Sequence, residues 1–190
     1  MTLSASPAQR TVVISANSAW NIHNFRKPII EALLASGWRV VAVAPQDGSE
    51  GAITALGAEF APVRMQPAGT SIFADVRLFG EYVRILRQLR PSAFLGFTVK
   101  PNIYGSLAAH LLGIKVVNNI SGLGTAFMGR GPLNRLVSRL YRLALGGSAT
   151  VFFQNRHDRD LFLREGLVRP DQARLLPGSG IDLDRFRPSP

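Results

Sequence analysis

The stretch from Ala93 to Phe127 constrains the fold of this chain most, because it reads as a strand, a helix and a second strand. AFLGF at its start is a short apolar run of the kind that a strand buried on both faces carries. IYGSLAAHLLG then places Leu107, Ala108 and Leu111 on one helical face, and KVVNNI returns as the next strand. A right-handed crossover makes the two strands parallel, so the loops that follow them should lie at one edge of the sheet. Open α/β folds bind their ligands at that edge.

Apolar runs and amphipathic segments alternate along the rest of the chain. Further strands are predicted at 11–15, 38–44, 58–65, 149–154 and 173–177. Helices are predicted at about 28–37, at 51–57, 72–90 and 131–145, and after Asn155, which should cap its helix together with Asp158. Pro28 is placed in the first turn of the first helix, and Pro62 puts its strand near a sheet edge. About seven strands with helices between nearly all of them predict an α/β fold, a Rossmann-like doubly wound parallel sheet.

Length and composition set limits on the class of protein. With 190 residues and 46% hydrophobic content, the chain suits one domain with its own core. No apolar run approaches the roughly 20 residues that span a bilayer, and the N-terminus lacks the apolar segment of a signal peptide. We therefore expect a cytoplasmic protein with a flexible N-terminus over residues 1–10. The chain has no cysteine and its three histidines are far apart, so neither a disulfide nor a metal site is expected.

The formal charge of +10 implies affinity for a polyanion, which can be nucleic acid, anionic lipid or a diphosphate-bearing substrate. The predicted helix at 72–90 has arginines on one face, and the helix at 131–145 is built in the same way. The apolar face of the helix at 72–90 is predicted to carry Val76, Phe79, Val83 and Leu86. The apolar face of the helix at 131–145 is predicted to carry Leu133, Leu136, Val137, Leu140 and Ala144. The basic faces are either ordinary solvated surfaces or contacts with an anionic membrane, at the inner face of the cell membrane. The arginines lie on separate helices without an aromatic-rich motif, so nucleic acid is not expected as a partner.

A polar loop, Asn17–Asn24, follows the first predicted strand. It contains no G-x-G-x-x-G, so an ordinary dinucleotide site is not expected there. Neutral hydrogen-bond donors and acceptors that suit a sugar are instead offered by Asn17, Ser18, Asn21, His23 and Asn24. The alternative is that these residues only cap the following helix and fill turn positions.

Two more loops, TVKPN and NNISGLGT, follow the strands of the central unit. Lys100 is a cation beside a helix that Pro101 opens, an arrangement that favours phosphate. The glycines of the second loop allow close backbone approach, and its serine and threonine add hydroxyl groups. An anion site is therefore expected to contain Lys100, Asn102, Ser121, Gly122, Gly124 and Thr125. The alternative is a solvated lysine beside a tight turn.

The C-terminal segment and several shorter stretches together resemble a known family. The segment fits the pattern G-[IV]-D-x-x-x-F-x-P with Gly180, Ile181, Asp182, Phe186 and Pro188. Taken with FQNRHD, the asparagine-rich first loop, RKPIIEALLASGWRV, KPNIYG and SGLG, it resembles the N-terminal half of the retaining, family-4-type glycosyltransferases of the two-domain "B" fold. The ordered set is similar to the subgroup that acts on polyprenyl-diphosphate-linked sugars in surface-polysaccharide or glycan assembly.

The resemblance implies one half of a two-domain enzyme. Residues 11–177 correspond to a Rossmann-like acceptor-side domain and 178–190 to the start of the interdomain linker, with the C-terminal donor domain absent. The implied partners are a nucleotide-sugar donor, held mainly by that second domain, and a lipid-linked saccharide acceptor; no cofactor is implied. Ala16 and Asn17 stand where many members have glycines, and Ser121 stands where many have a histidine. A histidine-based role is therefore not carried over, and the catalytic residues are unassigned.

The expected function is the transfer of a sugar from a nucleotide donor to a lipid-diphosphate-linked acceptor, without metal. A sugar-nucleotide epimerase of similar fold is the rival among enzymes and would use carboxylates across the same cleft. A basic module that binds nucleic acid or anionic membrane is the rival from another class. The 190-residue chain by itself is expected to fold and to transfer no sugar.

Overall fold

Seven strands form one parallel sheet in the computed structural model of this chain, which describes residues 10–66, 71–122 and 132–180. The strands are β1 (Thr11–Ser15), β2 (Arg39–Ala44), β3 (Glu59–Pro62), β4 (Ala93–Phe97), β5 (Lys115–Ile120), β6 (Thr150–Phe153) and β7 (Ala173–Leu175). Their order across the sheet is β3-β2-β1-β4-β5-β6-β7, and each neighbouring pair is parallel. The predicted Rossmann-like doubly wound sheet is confirmed, and β3, which contains Pro62, lies at its edge.

Helices connect the strands. They are α1 (Ala19–Ala35), α2 (Glu50–Ala55), α3 (Ile72–Leu89), α4 (Ser106–Leu111), α5 (Pro132–Gly146) and α6 (Arg156–Arg164), and a π-helical turn, Pro101–Gly105, leads directly into α4. Asn155 caps α6 as predicted: its side-chain oxygen accepts a hydrogen bond of 2.8 Å from the backbone N–H of Asp158.

Two cores cover the opposite faces of the sheet, which explains why the strands are apolar at both alternating positions. Val12 and Ile14 of β1 belong to the core beneath α1 and α2. Val13, between them, belongs to the core beneath α3 and α4, together with Tyr82 and Phe94. A third cluster lies around α5 and α6.

Helix α1 begins at Ala19, about nine residues before Pro28, which was predicted to lie in its first turn. Ser18 ends the loop because its Oγ accepts a hydrogen bond of 3.0 Å from the N–H of Asn21, which caps the helix. Pro28 lies inside the helix rather than in its first turn. It removes one helical hydrogen bond, but the apolar residues Ile22 and Ile30 on either side of it are fully buried, and this burial holds the helix together.

Two apolar residues that were predicted to face the core, Val76 and Leu136, are exposed, and so is Leu111, which was placed on one helical face with Leu107 and Ala108. On α3 the buried side chains are Leu78, Tyr82, Ile85 and Leu86, so the stripe that contacts the sheet is rotated away from Val76. On the short α4 the close approach to the sheet is made by Ala108 and Ala109 instead of the leucine. Leu133, which was also predicted to face inward, lies outside the residues whose side chains are described.

The strand order reverses between β1 and β4. From β1 the chain turns to α1 on one face, whereas the crossover into β4 uses α3 on the other face. Such a switch point leaves a crevice at the carboxyl ends of the two strands. This crevice holds the candidate site.

Candidate functional site

The loop after β1 and the start of α1 carry several buried polar atoms. Asn17 Oδ1, Asn21 Oδ1 and His23 Nδ1 are buried, and none of them has a hydrogen-bond partner among the described residues. Buried polar groups nearly always have partners in folded proteins, so each of these atoms is available to a ligand. Ser18 differs from its neighbours because its hydroxyl is used as the helix cap. The capping role is therefore confirmed for Ser18, while the predicted contact of Asn17 and Asn21 with a sugar stays a prediction.

Arg26 lies on the buried face of α1 and reaches across the crevice. Its side chain is 3% exposed, and its guanidinium stands 4.2 Å from the centroid of the Phe97 ring at the end of β4. Nη1 donates a hydrogen bond of 2.8 Å to the hydroxyl of Ser179, and Nη2 lies 3.4 Å from that of Ser121. Burial lowers the pKa of Arg26 to about 10, which leaves the group charged at neutral pH.

Thr98 follows β4 and has a left-handed backbone, with φ of 63°. That conformation is unfavourable for a β-branched residue and is found mainly where function demands it. Its Oγ1 is buried without a partner among the described residues. Together with Asn102, Ser121 and Gly122, it lines a cavity of about 270 Å³ beside the end of β5.

The predicted site residues do not all meet in this crevice. Lys100 turns away toward α3, where its Nζ donates a hydrogen bond of 2.8 Å to Oδ1 of Asp75. Tyr104 donates to the other oxygen of the same carboxylate, and burial together with this bond raises the pKa of Tyr104. The positive charge that was expected to be free is therefore already paired within the fold.

Asn102 is fully buried and its side chain is used by the fold. Its Nδ2 donates to the carbonyl of Asn119 at 2.9 Å, and its Oδ1 accepts from Nδ2 of Asn118 at 2.9 Å. Asn118 donates as well to Ser106 and accepts from Ser148. This buried network fixes the end of β5 against the π-helical turn, so Asn102 supports the cavity from behind.

Ser121 and Gly122 lie exposed at the end of β5, and their contact with a ligand stays a prediction. Gly122 has open space where a side chain would be. Gly124 and Thr125, the other two predicted members of this loop, lie outside the described residues, as do residues 181–188 of the C-terminal pattern.

Arg26, Thr98 and Gln154 were not predicted as site residues. Gln154 Nε2 contacts the hydroxyl oxygens of Ser179, at 2.5 Å, and Ser121, at 3.4 Å, so it joins the group around Arg26. A signal for Arg26 was present in the sequence: with α1 started at residue 19, it falls four residues after Ile22 and four before Ile30, in the apolar stripe. The backbone of Thr98 has no comparable signal.

Within the described part of the chain, no three histidine or acidic side chains lie close enough to hold a metal ion. None of the described helices is long and apolar enough to cross a membrane.

The sheet order and the polar crevice at its switch point define a Rossmann-like domain of the kind that glycosyltransferases of the two-domain "B" fold and sugar-nucleotide epimerases share. Anabaena HepE, solved in complex with UDP-glucose, superposes with a TM-score of 0.66 at 13% identity over 95% of this chain and 46% of its own. A UDP-GlcNAc 2-epimerase from Methanocaldococcus jannaschii gives a TM-score of 0.60 at 16% identity over 88% of this chain and 45% of its own. At these identities the two structures establish the fold.

Sequence comparison gives the family. Residues 24–178 match the profile of the glycosyl transferase 4-like domain, and the chain belongs to that family. A Campylobacter jejuni protein, N,N'-diacetylbacillosaminyl-diphospho-undecaprenol alpha-1,3-N-acetylgalactosaminyltransferase, is 25% identical over 173 residues, which are 88% of this chain and 46% of the relative. The chain thus spans about half the length of this relative.

Proposed function

We propose that this domain forms the acceptor side of a glycosyltransferase that moves a sugar from a nucleotide-sugar to a lipid-diphosphate-linked saccharide, with retention of anomeric configuration. The observation that carries the proposal is a set of buried polar atoms near the switch point that have no partner among the described residues: Asn17 Oδ1, Asn21 Oδ1, His23 Nδ1 and Thr98 Oγ1. Family membership and the name of the Campylobacter jejuni relative, which acts on a diphospho-undecaprenol-linked sugar, support the choice of reaction and acceptor.

The chemistry of the crevice fits a saccharide. Two amide oxygens and one imidazole nitrogen can accept hydrogen bonds from sugar hydroxyl groups, while the hydroxyl of Thr98 can either donate or accept. These atoms are fixed by the cap of α1 and by the end of β4, which hold them in place before a ligand arrives. The described residues that line the cavity beside the end of β5 include no carboxylate, whereas an epimerase would need carboxylates across the cleft.

A transfer assay with the complete enzyme tests this proposal. The enzyme is incubated with a panel of UDP-sugars and a saccharide joined through a diphosphate to a short prenyl chain, and products are separated by mass spectrometry. We expect the acceptor to gain the mass of one sugar residue. Proton NMR of the product should show the same anomeric configuration at the transferred sugar as in the donor. Conversion of a UDP-sugar into its epimer, without any change in acceptor mass, would instead establish the epimerase function.

Within this proposal a second domain holds most of the nucleotide-sugar, because the chain spans only about half of the relative. The sheet of the present chain is already continuous and both of its faces are covered. Differential scanning calorimetry should therefore show one cooperative unfolding transition for the 190-residue chain without ligand. The same chain should give no transfer in the assay described above, and any detectable product would contradict the division of roles.

We further propose that the enzyme approaches its acceptor at an anionic membrane surface. At the start of α3, Phe73 is 90% exposed, Ile72 is 69% exposed and Val76 is 66% exposed. The exposed arginines Arg77 and Arg84 follow on the same helix. Since α3 follows β3, its N-terminus lies at the carboxyl edge of the sheet, the same edge as the crevice.

The apolar side chains of this surface can enter the lipid interface, and its arginines can attract anionic headgroups. Each arginine near the membrane should contribute about 1 kcal/mol of binding free energy. Sedimentation with vesicles should depend on anionic lipid and weaken with salt. Phe73→Ser should reduce binding, whereas Leu175→Ser, at the exposed far edge of the sheet, serves as the matched control. Equal binding to neutral vesicles, or equal binding by the two variants, would return α3 to the role of an ordinary surface helix.

A further inference from the structure

We propose that Arg26 binds a phosphate group of the substrate, in a site completed by Ser121, Gln154 and Ser179. The assignment of that phosphate to a sugar-transfer substrate rests on the proposed function. The site itself rests on the geometry around one buried guanidinium.

The charge of Arg26 has no counter-ion in the described part of the fold. Its side chain is 3% exposed, and no carboxylate of the described residues forms a salt bridge with it. Lysine and arginine are almost never fully buried without a paired charge, because removing a cation from water carries a high cost. Lys100, a partly buried cation that follows β4, is by contrast paired with Asp75. Arg26 is thus a buried cation that no charge of the described residues balances, and a bound anion would balance it.

The hydrogen-bonding capacity of Arg26 is also incompletely used. A guanidinium has five N–H donors. Ser179 receives one bond of 2.8 Å and Ser121 receives a long one of 3.4 Å, while Nε has no partner among the described residues. Both serine partners are neutral, so neither balances the charge. A phosphate oxygen fits this need because arginine forms paired, charge-assisted hydrogen bonds with phosphates.

Neutral polar groups surround the guanidinium in a way that can complete a phosphate site. The face of the Phe97 ring holds it from one side at 4.2 Å. Gln154 Nε2 points at the same two serine hydroxyls, at 2.5 Å and 3.4 Å, so an amide donor and two hydroxyl groups converge beside the cation. Hydroxyl groups can turn their donors toward a bound anion without any backbone change.

An anion can reach this cluster from the solvent. Ser121 is exposed at the end of β5 and borders the cavity of about 270 Å³, which is open beside it. Ser179 is held between Gly178 and Gly180, whose φ angles of 86° and 71° favour glycine. The cluster therefore lies between the crevice and the segment that leaves the sheet after β7.

Titration of the 190-residue chain with inorganic pyrophosphate tests the site. Isothermal titration calorimetry is run at a fixed ionic strength, with melting temperatures measured in parallel. The wild-type chain should bind, and Arg26→Met should raise the dissociation constant by about 10- to 150-fold, the range expected for charge-assisted hydrogen bonds. Arg87→Met removes an exposed arginine from α3 and should leave the dissociation constant unchanged.

Stability separates a ligand-binding role from a structural one. Methionine keeps an unbranched side chain over the Phe97 ring and removes the unbalanced charge, so Arg26→Met without pyrophosphate should melt at the same temperature as wild type or higher. Should Arg26→Met fail to fold, Arg26→Lys keeps the charge but loses the paired donors, and it should still bind pyrophosphate more weakly than wild type. Absence of wild-type binding, or equal binding by wild type and the Arg26 variants, would overturn the proposal. If a carboxylate of the chain itself is the counter-ion of Arg26, pyrophosphate should not bind there, and this negative result would likewise overturn the proposal.

Two further titrations identify the source of the phosphate. UDP represents the nucleotide donor and farnesyl diphosphate represents the lipid-linked acceptor. If Arg26→Met weakens the binding of farnesyl diphosphate but not of UDP, the site belongs to the acceptor. If it weakens the binding of UDP but not of farnesyl diphosphate, the site belongs to the donor. If binding fails while the complete enzyme still transfers sugar, this site is wrong and the proposed function stands. If binding succeeds while no sugar is transferred, the proposed function is the one that fails.

Discussion

The contact between Gly105 and the Phe94 ring gives a sharp test of how the site is supported. Gly105 ends the π-helical turn after β4, and a methyl group at its Cα would lie 2.3 Å, 2.9 Å and 3.1 Å from three atoms of that ring. The ring cannot move easily, because it is fully buried and stands edge-on to Tyr82 at 6.0 Å. Tyr82 is itself hydrogen-bonded to Ser15 at 2.8 Å.

Gly105→Ala therefore forces overpacking in the core, which costs about 1–3 kcal/mol, and the gain of about 1 kcal/mol from replacing a helical glycine offsets part of it. The contact at 2.3 Å favours the upper end, so we expect a net loss of about 1–2 kcal/mol. That corresponds to a fall of roughly 2–8 °C in melting temperature for a chain of this size. Gly80→Ala, on the exposed face of α3 with open space around it, should instead stabilise by about 0.5–1 kcal/mol.

Urea denaturation followed by circular dichroism measures both variants against wild type. Phe94→Leu in the Gly105→Ala background should recover part of the loss, as expected for two residues in contact. If the Gly105→Ala and Gly80→Ala variants have the same free energy of unfolding, the Phe94 ring does not pack against the π-helical turn as described. The turn would then not support the cavity in this way.

Three other substitutions have expected outcomes. Lys100→Met should cost about 1–3 kcal/mol in urea denaturation, because it leaves Asp75 partly buried without its cation; an unchanged midpoint would contradict the pairing. Asn118→Ala removes three side-chain hydrogen bonds and should cost about 3–5 kcal/mol, so a loss below 1 kcal/mol would show that the network is not formed. The hydrogen bond from Arg39 lowers the pKa of Glu59 below its usual 4.5, so the pair stabilises the fold above that pH and its contribution disappears as the pH falls through the folded-state pKa. Because Glu59 is exposed and Arg39 is about one-third exposed, Glu59→Gln should change the stability lost below pH 4.5 by only a few tenths of a kcal/mol, and a larger change would contradict a solvent-screened pair.

The fold was largely readable from the sequence because its signals are local. Strands covered on both faces are apolar at every position, and the helices between them leave little choice but a parallel sheet. The error at α1 came from treating Pro28 as a start signal. Tertiary packing of Ile22 and Ile30 outweighs the local cost of a proline inside the helix, and that packing cannot be read from the proline itself.

The site was less readable because it depends on contacts between distant segments. Ser121 was predicted from its position at the end of a strand, which periodicity can locate. Lys100 is neutralised by Asp75, which lies 25 residues away on another helix, and no spacing rule connects the two. Arg26 was overlooked because the helix was started too late, which hid a cation in an apolar stripe.

The dependence of sugar transfer on the acceptor diphosphate tests the central claim most directly. Initial rates of the complete enzyme are measured with two acceptors that carry the same saccharide, one linked through a diphosphate to a short prenyl chain and the other a methyl glycoside. If the domain binds the acceptor through its diphosphate, kcat/KM should be at least about 10-fold higher for the first acceptor, as one or more charge-assisted hydrogen bonds require. Equal kcat/KM values for the two acceptors would contradict the account.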